Sequence, residues 1–228
     1  MKKEIIVTTD GSHSIAIPDM GVTYHSTHGA IQESAHVFIK SGLGYTTIKN
    51  QSPDIVSILE MGFGTGLNAL LTLLEAGSQQ LRVCYETVEL YPLQSGTFQL
   101  LNYCEQLNRL DLKPLFTQMH TCDWDTVIEI TPFFSFKKNN CSLLDYTAAK
   151  LFNIIYFDAF APDIQPELWT SQVFKKLYDG LLPGGVLTTY CSKSLVRKAM
   201  SEAGFIVEKI PGPPHKREIV RAIKANNA

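Results

Sequence analysis

Short apolar runs alternate along this chain with longer segments whose apolar positions recur every three or four residues. The first kind suits strands buried on both faces, and the second suits helices that bury one stripe. Ala30 to Ser41 predicts a helix with Ile31, Ala35 and Phe38 on one face, Ile55 to Glu60 a first core strand, and Leu67 to Glu75 the helix after it. A second core strand is expected over Arg82 to Val88 and a helix over Gln94 to Asn108. Further strands are expected at Phe133 to Phe136 and Ile154 to Asp158. A helix over Glu167 to Leu181 is expected to stop at Pro183-Gly184-Gly185, before a strand at Val186 to Tyr190 and a helix at Leu195 to Ala203 closed by Gly204. Phe205 to Ile210 and Glu218 to Ile223 pair as an antiparallel edge hairpin. This order predicts an α/β, Rossmann-like fold: a mostly parallel, doubly wound sheet with a C-terminal antiparallel edge. One domain over 1–228 is expected, with 1–50 an N-terminal extension and 94–132, around Pro114 and mixed short elements, an insertion.

Composition narrows the class. With 228 residues, 45% of them hydrophobic, the chain can bury one substantial core. No apolar stretch approaches a membrane span, and Met1-Lys2-Lys3-Glu4 leads into no long apolar signal core, so a cytoplasmic protein is expected. The five cysteines are odd in number and form no C-x-x-C, which argues against a disulfide frame or a zinc knuckle. Net charge is −2, unevenly spread. From Lys193 to Lys224 eight Lys or Arg face Glu202, Glu208 and Glu218, a local +5 that leaves −7 for the rest. The basic run reads either as a grip for nucleic acid or as a solvated face.

The stretch Ile58 to Asn68 carries the first candidate chemistry, because an apolar strand empties into Gly62, Gly64 and Gly66 and then an apolar helix. Such glycines allow positive φ and let backbone approach a ligand near the free N–H groups of the helix. A dinucleotide fingerprint would need glycine where Leu67 stands, and the Gly-Lys-Ser/Thr of a phosphate loop is absent. E-x-G-x-G-x-G resembles instead the first motif of S-adenosylmethionine-dependent methyltransferases.

In an open parallel sheet ligands bind beyond the carboxyl ends of the strands, which singles out the residues just after them. Glu89 follows the second core strand, placed to accept from two ribose hydroxyls; Glu86 competes but lies within the strand pattern. Asp158, Phe160 and Pro162 follow another strand, where a carboxylate can take a hydrogen bond or a proton from an amine and a ring can stack on a base. Asp158 reads equally as a helix cap. Tyr190 and Cys191 could line the same cleft. His28 and His36 share a helical spacing without a clear third ligand, so no metal is expected.

Ordered blocks over residues 8–223 then resemble one family. They include Asp10-Gly11-Ser12, Tyr24-His25-Ser26-Thr27-His28-Gly29-Ala30, Gly62-Phe63-Gly64-Thr65-Gly66-Leu67-Asn68 and Glu89-Leu90-Tyr91-Pro92-Leu93. Later ones are Asp158-Ala159-Phe160-Ala161-Pro162, Pro183-Gly184-Gly185, Tyr190-Cys191 and Gly212-Pro213-Pro214-His215-Lys216-Arg217-Glu218. The family is the tRNA 5-aminomethyl-2-thiouridine methyltransferases, also found as the methyltransferase half of a bifunctional wobble-uridine enzyme. The resemblance implies a class I methyltransferase that moves a methyl group from S-adenosylmethionine to the exocyclic amine of 5-aminomethyl-(2-thio)uridine, leaving S-adenosylhomocysteine. It implies tRNA as partner, separate enzymes that install and expose the aminomethyl group, and no membrane; no FAD-dependent oxidase half is expected within these 228 residues.

Carried onto this sequence, the resemblance assigns the cofactor to Glu60, Gly62, Phe63, Gly64, Thr65, Gly66, Asn68, Glu89, Cys141 and Asp158. Cys141, with Asn140, stands where the family carries Gly-Asp, and His215 stands where it favours glycine. Asp158 and Phe160 are the expected catalytic pair. Tyr24, His25, Ser26 and Tyr190 are expected on the substrate side, with Lys193, Arg197, Lys216 and Arg217 from the basic run. The amine must be neutral to attack, which at pH 7 costs roughly 4 kcal/mol if its pKa resembles that of lysine. Two other readings stay open: a methyltransferase or aminopropyltransferase acting on a small amine, and a non-catalytic RNA-binding relative.

Overall fold

The computed structural model describes residues 2–49 and 54–226. Strands β1 (Glu4–Val7), β2 (His13–Ile17) and β3 (Val22–Thr23) pair antiparallel as a small sheet of their own. One helical stretch follows, from α1 (Ala30–Ser34) through a π-helical segment (Ala35–Gly44) into α2 (Tyr45–Lys49). It outruns the expected Ala30 to Ser41 because Gly42 does not end it. A Cβ at Gly42 would lie 3.0 Å from a ring carbon of Tyr156, so the glycine lets the helix close onto the sheet.

The rest of the chain runs through β4 (Ile55–Met61), α3 (Leu67–Gln79), β5 (Arg82–Val88), α4 (Ser95–Phe98), α5 (Tyr103–Gln106) and α6 (Lys113–Thr121). It continues with β6 (Ile128–Thr131), β7 (Phe134–Asn139), β8 (Phe152–Phe157), α7 (Ser171–Asp179), β9 (Leu181–Thr189), α8 (Ser194–Glu202), β10 (Ile206–Pro211) and β11 (Glu218–Ile223). These strands form one eight-stranded sheet in the order β10-β11-β9-β8-β4-β5-β7-β6. The central pairs are parallel, and β6, β10 and β11 run antiparallel to their neighbours. The α/β architecture with a mostly parallel sheet and an antiparallel C-terminal edge is therefore as the pattern predicts. Strand order reverses at β4, where β5 lies on one side and β8 on the other, and the carboxyl ends there open a crevice.

Alternation along the buried strands divides the core into two layers. Ile58, Tyr85, Phe136 and Tyr156 face α3 and the long N-terminal helical stretch, while Leu59, Ile155 and Phe157 face α7 and α8. Further boundaries differ from expectation. Pro183-Gly184-Gly185 sits inside β9, where Gly184 at φ +75° helps make an irregularity in its pairing with β8 instead of a stop. α7 begins at Ser171, after Thr170 caps it by accepting from the Val173 N–H, and Pro166–Leu168 forms a separate 3-10 turn. The helix expected over 94–108 is broken into α4 and α5. Among the described residues no helix is long and apolar enough to cross a membrane.

Candidate active site

β4 delivers the chain into Gly62, Gly64 and Gly66 with φ of +88°, +49° and +76°, the left-handed turn that the alternating glycines allow. Part of the need for glycine is internal. A Cβ at Gly66 would come within 2.8 Å of His120 Nε2 and 3.0 Å of Phe63, and one at Gly64 within 3.2 Å of the Tyr24 ring. Sequence reasoning missed His120, because only the fold brings α6 under the loop.

The loop floors a cavity whose walls include Phe63, Thr65, Asn68, Glu89, Leu143 and Asp158. Glu89 accepts from Gly64 N–H through Oε2 (3.0 Å) and from Tyr91 N–H through Oε1 (2.7 Å), so its carboxylate is fixed facing the cavity. Each oxygen keeps a lone pair for a further donor. Glu86 is occupied elsewhere: it accepts from Tyr146 OH at 2.8 Å and Asn139 Nδ2 at 3.1 Å inside the protein. Glu89→Ala is expected to weaken S-adenosylmethionine binding by roughly 1.5–3 kcal/mol, measured by calorimetry. Unchanged affinity would remove Glu89 from the site.

Three residues assigned to the cofactor do not line this cavity: Gly66, whose Cβ position is taken up by His120 and Phe63, together with Cys141 and Glu60. Cys141 packs on the core layer under α7, because β7 runs on to Asn139 and turns the following side chain inward; Ser142, Leu143 and Leu144 line the wall instead. Asn140 donates to the Glu89 carbonyl at 2.9 Å. Glu60 is wholly buried on β4, beside Asn68, Tyr85 and Thr87, with neither carboxylate oxygen in good hydrogen-bonding geometry. Burial and then the nearby Asp158 push its pKa well up, favouring the protonated form.

Asp158, at the carboxyl end of β8, accepts from Asn68 Nδ2 at 2.8 Å. It opens partly to the cavity yet is enclosed by protein, and that burial pushes its pKa up to about 7 against the opposing Asn68 bond. A second cavity adjoins the first, and Tyr24, His25, Asp158, Ala159 and Phe160 line both. The rings of Tyr24 and Phe160 meet edge to face at 5.2 Å. The Phe160 backbone is held by its N–H donating to Gln165 Oε1 (2.9 Å) and by Trp169 Nε1 donating to its carbonyl (2.8 Å). Tyr190 OH donates to the Ala159 carbonyl at 2.9 Å. Over its ring, at 4.7 Å, lies Lys216 Nζ, which also pairs with Glu33 at 2.7 Å. Ser26 N–H donates to the other Glu33 oxygen.

The expected substrate residues therefore divide. Tyr24, His25, Ser26, Tyr190 and Lys216 line the second cavity. Lys193, Arg197 and Arg217 do not: Lys193 pairs with Asp163, Arg197 Nε donates to the Ser192 carbonyl at 3.2 Å, and Arg217 is exposed. Arg197, on α8, and Arg217 both help to lower the Glu218 pKa, after the larger effect of Lys209. His28 and His36 go separate ways, His28 stacking on His215 at 4.7 Å and His36 Nε2 lying 2.8 Å from the Pro211 carbonyl. Among the described residues no three metal-ligating side chains gather.

The residues present fit S-adenosylmethionine. A carboxylate fixed at the end of β5, an open glycine turn and the apolar wall of Leu143 and Leu144 supply acceptors for hydroxyls and a surface for a base. Comparison with known proteins agrees. A family described as S-adenosyl-L-methionine-dependent methyltransferase matches residues 117–225. The tRNA 5-methylaminomethyl-2-thiouridine biosynthesis bifunctional protein MnmC of Leptospira interrogans is 30% identical over 207 residues, covering 86% of this chain and 32% of the relative. That of Stutzerimonas stutzeri is 29% identical over 215 residues, covering 88% and 32%. The chain thus spans about a third of the length of these relatives. The crystal structure of MnmC2 from Aquifex aeolicus superposes with a TM-score of 0.79 at 25% identity, covering 98% of this chain and 71% of that one. Family match, relatives and glycine-loop geometry together mark the chain as an S-adenosyl-L-methionine-dependent methyltransferase, similar in sequence and fold to proteins of the MnmC type.

Proposed function

We propose that this methyltransferase acts on the exocyclic primary amine of 5-aminomethyl-(2-thio)uridine at the tRNA wobble position. The observation that carries the reading is the place of Asp158, a carboxylate at the junction of the cofactor cavity and a second, ring-walled cavity. The relatives' names add tRNA and the wobble-uridine chemistry.

When bound, S-adenosylmethionine supplies an electrophilic sulfonium methyl, displaced in line as an N–C bond forms and an S–C bond breaks. The glycine-loop backbone, Asn68 and Glu89 would hold it. Tyr24 and Phe160 form the wall on which a base stacks, and positioning of this kind supplies roughly 7–11 kcal/mol of a barrier. Asp158, pinned by Asn68, accepts a hydrogen bond from the amine and then its proton. A pKa near 7 suits that task, since the group is largely ionised just above neutrality and still basic enough to take the proton. Exclusion of water by the aromatic walls favours the neutral amine, opposing the ionised carboxylate.

Salt dependence tests the tRNA partner. Arg197 and Arg217, from the basic run, are the residues that would contact phosphate. Log affinity for tRNA should fall linearly with log salt, and Arg197→Ala with Arg217→Ala should flatten the slope by roughly 0.7–0.9 per contact removed. Identical slopes would turn the reading towards a small-molecule amine.

A further inference from the structure

Thr65, in the middle of the glycine loop, is buried and lines the cofactor cavity. Two histidines reach it, one from each segment outside the shared sheet. His25, just after β3, brings Nε2 to 2.6 Å from Thr65 Oγ1. His120, on α6, brings Nε2 to 3.2 Å from the Thr65 carbonyl oxygen. A carbonyl oxygen only accepts, so His120 Nε2 carries the hydrogen. Both rings are neutral near pH 7. Burial pulls His25 down to about 4 against the pull of Glu33 and Asp10, and pulls His120 down to about 3 with Lys138 adding to it.

Each ring is itself held in place. The His25 backbone N–H donates to Ser14 Oγ at 3.0 Å, and Thr23 Oγ1 donates to the His25 carbonyl at 2.7 Å. His120 stacks on Phe98 at 4.2 Å with the planes 6° apart, and packs against Phe63 and Phe116. Gly66 belongs to the same arrangement, since a side chain there would strike His120 Nε2.

We propose that His25 and His120 are positioning residues that clamp Thr65 from two sides, holding the glycine loop in the shape that receives the amino-acid end of S-adenosylmethionine. The N-terminal extension and the 94–132 insertion thereby act in cofactor binding. A turn with three glycines at positive φ has many conformations open to it, and fixing it beforehand removes an ordering cost that binding would otherwise bear. The inference depends on the cofactor and stands whether or not the substrate is tRNA.

Calorimetric titration with S-adenosylhomocysteine tests it on the whole chain, alongside urea unfolding of each protein without ligand. His120→Phe keeps the aromatic stack and loses the donor; His120→Gln keeps a donor. Affinity should fall about tenfold in His120→Phe and stay within about threefold of native in His120→Gln, with unfolding midpoints close to native in both. Native affinity in folded His120→Phe would overturn the clamp. An independent arm uses His25→Phe with and without Thr65→Val. Its effect on affinity should largely vanish once Oγ1 is gone, whereas additive losses would contradict the proposal.

Discussion

Asp158→Ala is expected to keep S-adenosylmethionine and tRNA affinity within a few-fold of native and to lose roughly 10²–10⁴ of the single-turnover methylation rate. The loss follows from its place: Asn68 pins the carboxylate on the cofactor side, and the same carboxylate faces the second cavity. Acidity gives a second readout. With a pKa near 7, the acceptor is protonated in mild acid, so the native rate should fall as pH drops through about 7. Stability moves the other way. The folded pKa lies above the ordinary 3.8, so between 3.8 and about 7 the fold holds a proton that the unfolded chain has released. This group's contribution to stability therefore declines as pH rises across that window. Asp158→Asn should accordingly be inactive yet unfold at higher urea than native at pH 8. A variant that methylates at the native rate would show Asp158 to be only a structural group.

Gly64→Val is expected to weaken S-adenosylmethionine binding by roughly 5- to 150-fold, corresponding to roughly 1–3 kcal/mol of backbone strain. Its φ is +49°, its new Cβ would press on the Tyr24 ring at 3.2 Å, and its N–H is the donor that fixes Glu89. One substitution thus disturbs the loop, the carboxylate and a ring shared by both cavities. Gly77→Ala is the control. It lies exposed on α3 with nothing within 4 Å of the new Cβ, and should bind normally while gaining about 0.5–1 kcal/mol of stability. Native cofactor affinity in a folded Gly64→Val protein would contradict the loop's assignment.

The parallel core was the legible part of the sequence. Arg82–Val88 is the strand that the pattern predicts, since strands buried on both faces of a parallel sheet are mostly apolar runs. Glu89 and Asp158 could be found because strand ends mark the crevice of such a sheet. What could not be read depends on contacts distant in sequence. His120 reaches the glycine loop across 55 residues, and Lys216 meets Glu33 across 183. Cys141, assigned by resemblance, does not line the cavity: β7 runs three residues past the expected strand end, and Ser142, Leu143 and Leu144 form the wall. Of the four residues chosen from the basic run, Lys216 is the one that lines a cavity, because where each side chain of the run points depends on the fold and not on charge.

The measurement closest to the central claim is transfer of labelled methyl from S-adenosylmethionine to tRNA that carries, or lacks, the wobble 5-aminomethyl group. The label should appear on the aminomethyl-bearing tRNA, in the modified wobble nucleoside after digestion, and not on tRNA lacking the group. Transfer to both tRNAs alike, or to neither while a small primary amine is methylated, would contradict the account.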